Sequence, residues 1–125
     1  MGGFLFSKII ERVDLFMYAQ GWIRGYMSKS YDVESFMIHV VTTIERQLKL
    51  WDERVEVNLL QDLIGKHIYF VIVRFDEKTF KVPLSEEEAR ALQDESAFAV
   101  DRYIWRGLVK QGLSLRETAG NYLTY

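Results

Sequence analysis

The feature that most constrains the fold of this chain is one run of residues, His67 to Phe75, rich in β-branched and aromatic side chains. Such residues favour extended backbone, so the run predicts a β-strand. Side chains alternate between the two faces of a strand, and here both faces carry apolar residues. We therefore predict a central strand that is covered on more than one side. Its uninterrupted apolar part, Ile68 to Val73, is six residues long, far short of the ~20 that span a bilayer.

Weaker strand patterns lie on both sides of this run. Apolar and polar residues alternate over residues 55–60, although Leu59, Leu60, Leu63 and Ile64 are also compatible with a helical turn. Alternation returns from Thr79 to Leu84, after a polar turn at Asp76–Lys78. Pro83 suits a strand end or an edge position, because it cannot donate a ladder hydrogen bond. Together the three segments predict a three-stranded antiparallel meander.

Two helices are predicted before the sheet. Residues 4–28 carry apolar side chains at helical spacing on two neighbouring stripes. Asp32 is a favourable N-cap for a second helix that runs to about Trp51 and has a single apolar stripe. The link between them is short, which predicts an antiparallel helical hairpin.

A long or bent helix is predicted after the sheet. Ser85 and Glu88 have the spacing of a capping box, which marks its first turn. Residues 94–96 favour caps and predict a break or bend. Gly112 is suited to the position that follows a helix C-terminus.

These elements predict an α+β fold: an N-terminal helical hairpin, a three-stranded antiparallel β-meander, then a long or bent C-terminal helix. We expect one globular domain over residues 1–125, with helices packed on the sheet. The expected core comprises Ile10, Val13, Met17, Phe36, Val40, Val41, Ile44, Phe70, Ile72, Val82, Val100 and Ile104.

Composition narrows the classes of function. Hydrophobic residues make up 49% of the chain and aromatic residues 14%, which is typical of a packed globule. The balance of 16 basic and 18 acidic residues argues against a strong positive electrostatic field that would attract nucleic acid or an acidic membrane. Without cysteine, disulfides and cysteine-based zinc sites are excluded. No targeting segment is recognisable, so we expect a cytoplasmic location and no membrane association.

Residues with catalytic or ligand chemistry form no motif. His39 and His67 have no acidic or histidine neighbour at metal-ligand spacing, and both are predicted to be surface residues. Asp14 and Asp101 have apolar neighbours but are predicted to be solvated helix residues. No serine elbow or glycine-rich phosphate loop occurs. We therefore assign no catalytic, metal or cofactor-binding residue, and the sequence favours a non-enzymatic protein.

The second apolar stripe of the first helix is the candidate interaction surface. It consists of Leu15, Tyr18, Trp22 and Tyr26. A chain of this length buries both stripes only if the helix is central, and otherwise one of them meets a partner. The first hypothesis is therefore a small interaction or regulatory module. It would self-associate, with a dimer favoured, or bind another protein.

Two alternatives remain open. A small-molecule-binding or enzymatic domain would have an aromatic pocket with rings such as Tyr69 and Trp105. A weak nucleic-acid binder would use an anion-binding ridge of Arg102, Arg106 and Lys110, which are spaced four apart. The same three cations would also complement the dipole at the end of their helix.

Overall fold

A computed structural model of the chain describes residues 21–62, 64 and 67–114. The fold is α+β, as predicted, and its described part starts with two helices. The elements in this part of the chain are α1 (Gly21–Ser30), α2 (Val33–Trp51), β1 (Glu56–Asp62), β2 (Ile68–Phe75), β3 (Lys78–Ser85), α3 (Glu86–Glu95) and α4 (Ala99–Lys110).

The sheet is the predicted antiparallel meander, with β2 between β1 and β3. Leu59 pairs with Val71, which in turn pairs with Val82. The helical alternative for residues 59–60 is therefore wrong. The β2–β3 hairpin turns at Asp76 and Glu77, whose φ angles of 53° and 64° are the left-handed pair of a type I′ turn.

The helix boundaries follow the predicted caps. The Asp32 carboxylate accepts a hydrogen bond of 3.0 Å from the Ser35 backbone N–H at the start of α2. Ser85 and Glu88 form both hydrogen bonds of a capping box at the start of α3. Gly112, with φ of 106°, follows the end of α4. The part of the first predicted helix before residue 21 lies outside the described residues.

The C-terminal helix is broken rather than continuous. The α3 helix ends at Glu95, and α4 starts again at Ala99. The predicted break at residues 94–96 is thus confirmed. Because of the break, α4 can lie over β3 while α3 contacts α1 and α2.

The core lies between the helices and one face of the sheet. Within the described residues, α2 packs over β1 and α4 packs over β3. The predicted core residues Phe36, Val40, Val41, Ile44, Val82, Val100 and Ile104 are all buried. Ile10, Val13 and Met17 lie outside the described residues.

The predicted burial of Phe70 and Ile72 is wrong. The strand β2 directs Tyr69, Val71 and Val73 into the core, and these three are buried. Phe70 and Ile72 alternate with them, so they lie on the opposite face and are only partly buried. Both faces of β2 are apolar, but in the described structure the helices cover only one.

None of the helices in the described ranges is long and apolar enough to cross a membrane.

Candidate functional site

A buried ion pair joins α1 to α4. The Arg24 guanidinium binds the Asp101 carboxylate, and both side chains are fully buried. The prediction that Asp101 is a solvated helix residue is therefore wrong. A buried charge is tolerated only when it is paired and hydrogen-bonded, which fixes the position of α1 relative to α4.

Arg24 makes further contacts that bring three helices together. Its guanidinium donates to the Ala97 carbonyl at 3.3 Å and to the Thr43 hydroxyl of α2 at 3.4 Å. The same group lies 4.9 Å from the centroid of the Phe98 ring and 5.6 Å from that of Phe36. Because the guanidinium is closed to solvent and makes these contacts, Arg24 is a structural anchor between the helices.

His39 is buried beside this anchor, so the prediction of a surface histidine is wrong for it. Only 9% of the residue is exposed. The pKa of His39 is lowered from 6.5 to about 3, mainly by burial and in addition by the positive charges of Arg24 and Arg46. The imidazole is thus neutral at physiological pH.

The neutral His39 makes stability depend on pH. The unfolded chain takes up a proton near pH 6.5, whereas the folded protein does so only near pH 3. Stability should therefore fall as the pH drops below 6.5, by at most about 1.4 kcal/mol per pH unit for this group. Urea unfolding of wild type and His39→Gln at pH 7 and pH 5 measures this, and the variant should lose less stability. Equal losses in the two proteins would contradict the assignment.

A cleft of about 500 Å³ lies where α1 ends and where α2 and α3 begin. We call it the acidic cleft. Its acidic lining residues are Asp32, Glu34, Glu86 and Asp94, and its basic ones are Lys29 and Arg90. The wall is fixed by Gln93, whose amide donates to the carbonyls of Ser28 at 3.0 Å and Tyr31 at 2.7 Å. This amide therefore joins α3 to the end of α1.

Tyr69 reaches the acidic cleft from the central strand. The residue is 1% exposed and lines the cleft. Burial raises the pKa of its hydroxyl, and the charges of Glu86, Glu34 and Asp32 raise it further. These three carboxylates also line the cleft, so the Tyr69 hydroxyl lies near its acidic residues.

The uncovered face of the sheet is a second feature. Its central rows are Leu60–Phe70–Pro83 and Asn58–Ile72–Lys81, each aligned across the three strands. We call this surface the open face. Leu60 is 52% exposed, and the Lys81 ammonium lies 4.3 Å from the centroid of the Phe70 ring. The face thus combines an apolar centre with charges around it.

Of the predicted interface residues, Tyr26 lies on α1 and is 67% exposed. Trp22 also belongs to α1, but its side chain is outside the described structure. Leu15 and Tyr18 lie before the described residues. The interface therefore stays a prediction that the exposure of Tyr26 favours.

The predicted anion-binding ridge lies on α4. Arg106 and Lys110 are exposed, whereas Arg102 is half-buried and donates to the Ser96 hydroxyl at 2.9 Å. The ridge stays a prediction. Tyr69 lines the acidic cleft, but Trp105 lines none of the described clefts. The Trp105 ring instead packs against Trp51, with 5.8 Å between the ring centroids.

His67 is exposed, as predicted, and its Nδ1 lies 3.7 Å from a Glu86 oxygen. Over the described part of the chain, no group of three or more histidine, cysteine or acidic residues could hold a metal ion.

Sequence reasoning did not identify the acidic cleft or the role of Arg24. The cleft joins residues from five elements, so no local motif marks it. One signal was available: Tyr69 is the only hydroxyl-bearing residue in the apolar run Ile68–Val73. A buried hydroxyl requires a partner or a solvated cavity.

Comparison of the chain with protein-family models, with curated proteins and with solved structures finds no match.

Proposed function

We propose that the protein is a non-enzymatic interaction module that self-associates through the open face of its sheet. The observation that carries the proposal is the exposure of apolar side chains there. A cytoplasmic location belongs to the same proposal.

The apolar part of the open face is contiguous. Leu60, Phe70 and Pro83 are direct neighbours across the three strands, and Ile72 lies in the next row. An apolar patch on a regular surface favours contact with another protein, because covering it releases ordered water. Sheet faces of this kind pack against one another in β-sandwiches.

Charge favours a second copy as the partner. The face carries Glu56 and Asp62 as acidic residues and Arg74 and Lys81 as basic ones. Glu56 and Arg74 already lie 4.0 Å apart within one chain. A strongly acidic or strongly basic partner would meet repulsion from half of this set. A second copy supplies both signs and the same apolar centre, as a twofold interface requires.

The proposal predicts a concentration-dependent dimer that Leu60→Gln weakens. Leu60 is 52% exposed, and losing its burial in the interface should raise the dissociation constant about tenfold. Sedimentation equilibrium or native mass spectrometry over a concentration series measures this constant.

The matched control is Ile38→Gln on α2, because Ile38 is 53% exposed but lies away from the sheet. We expect this variant to dimerise as wild type does. Tyr26→Ser tests the surface predicted on α1. Loss of the dimer in Tyr26→Ser with no change in Leu60→Gln would move the interface to α1, and a strictly monomeric wild type would refute self-association.

A further inference from the structure

One wall residue of the acidic cleft, Tyr69, has a hydroxyl without a partner among the described residues. The Tyr69 hydroxyl makes no hydrogen bond in the described structure, although the residue is 1% exposed. A tyrosine hydroxyl can donate one hydrogen bond and accept others. Although the ring is buried, the oxygen itself is accessible from the cleft. A ligand in the cleft could satisfy it.

Two carboxylates that line the cleft from different helices also have no partner among the described residues. Glu34 lies in the first turn of α2, and Asp94 lies in the last turn of α3. Neither makes a hydrogen bond or an ion pair within the described residues. By contrast, Asp32 caps α2 through the Ser35 N–H, and Glu86 lies 3.3 Å from the Arg90 guanidinium.

The net charge of the cleft selects the class of ligand. Four acidic residues and two basic ones line it, which leaves a net charge of −2. The starts of α2 and α3 border the cleft and would by themselves favour an anion. Their first turns, however, already carry Glu34 and the acidic run Glu86–Glu88, and both helices are capped by side chains. The remaining field therefore favours a cation.

We propose that the acidic cleft binds an alkylammonium group, with the Tyr69 hydroxyl accepting a hydrogen bond from it and Glu34 and Asp94 pairing with its charge. An ammonium group carries three N–H donors and no acceptor, which matches a hydroxyl oxygen together with carboxylates. Because two such carboxylates line the cleft, a linear diamine offers one ammonium group to each. The ammonium can come from a free diamine or from a lysine side chain.

The test uses 1,4-diaminobutane and a tetralysine peptide as probes of the full-length protein. Isothermal titration calorimetry gives the affinities, and backbone amide shifts in a ¹H–¹⁵N spectrum locate the site. We expect the amides of Glu34, Gln93 and Asp94 to shift with at least one probe. The better probe identifies the source of the ammonium. The matched control probe is 1,4-butanediol, which has the same length without charge and should not bind.

Tyr69→Phe and Glu34→Gln separate binding from folding. The hydroxyl of Tyr69 has no partner among the described residues, so Tyr69→Phe should leave the unfolding midpoint unchanged or raised. Each variant should weaken binding of the better probe about tenfold, which is the size expected when a hydrogen bond to a charged group is lost. Glu87→Gln is the control. Glu87 is exposed in the first turn of α3, next to the cleft residue Glu86, but does not itself line the acidic cleft.

Three results would overturn the proposal. One is that neither ammonium probe shifts the cleft amides at low salt. Another is that butanediol or inorganic phosphate shifts them as strongly as the diamine does. The third is that Tyr69→Phe and Glu34→Gln bind the better probe as wild type does. Because the proposed dimer uses the open face, its dissociation constant can be measured independently on the same variants.

Discussion

Arg24→Met should lower the free energy of unfolding by about 3–5 kcal/mol. The substitution removes the fully buried guanidinium that pairs with Asp101 and contacts Thr43 of α2. The Asp101 carboxylate then stays in the core without its cation, and this is the dominant unfavourable effect. Methionine fills much of the volume of the arginine stem, so a cavity contributes little. Urea unfolding at pH 7 measures the change.

An exposed Arg–Asp pair in the same chain provides the control. Arg54 donates to both oxygens of Asp52, at 3.0 Å and 2.8 Å, but its side chain is 81% exposed. Arg54→Met should leave stability nearly unchanged, because solvent screens surface ion pairs. Similar effects of the two substitutions would show that Arg24 is not the anchor we describe. The double variant Arg24→Met, Asp101→Leu should recover part of the loss, since it leaves no unpaired charge at these positions.

Gly107→Ala should destabilise the fold by about 2–3 kcal/mol. Gly107 lies within α4 where this helix packs on β3. A β-carbon there would lie 2.9 Å from both methyl carbons of Val82, which is 3% exposed. Valine has a stiff χ1 angle and cannot move aside easily. Either α4 separates from the sheet or the valine adopts an unfavourable rotamer.

Gly25→Ala on α1 is the matched control. Among the described residues, none lies within 4 Å of a β-carbon built at Gly25, so the better helix propensity of alanine should raise stability by about 0.5–1 kcal/mol. Thermal unfolding of both variants measures the contrast. Adding Val82→Ala to Gly107→Ala should relieve the clash. If Gly107→Ala alone is neutral, the close approach of α4 to β3 is wrong.

Local signals predicted the elements of the fold. The caps at Asp32 and Ser85 and the apolar run of β2 each depend on residues within a few positions of one another. Such interactions form in any context that allows the segment to fold, so a single sequence is enough to detect them. The open face shows a property that local signals do not predict. Alternation separates Tyr69 and Val71 from Phe70 and Ile72, but both sets are apolar, so alternation does not tell which set is buried.

What the sequence by itself determined is the order, type and capping of the elements from α2 to α4, because short-range hydrogen bonds and side-chain periodicity control them. Only the tertiary structure decided which face of the sheet the helices cover, and hence which apolar residues remain exposed. It also decided that Arg24 meets Asp101, 77 positions away, and that Tyr69 shares a cleft with Glu34 and Asp94. These outcomes depend on how whole elements pack, which is a balance of long-range burial and charge pairing that no local pattern records.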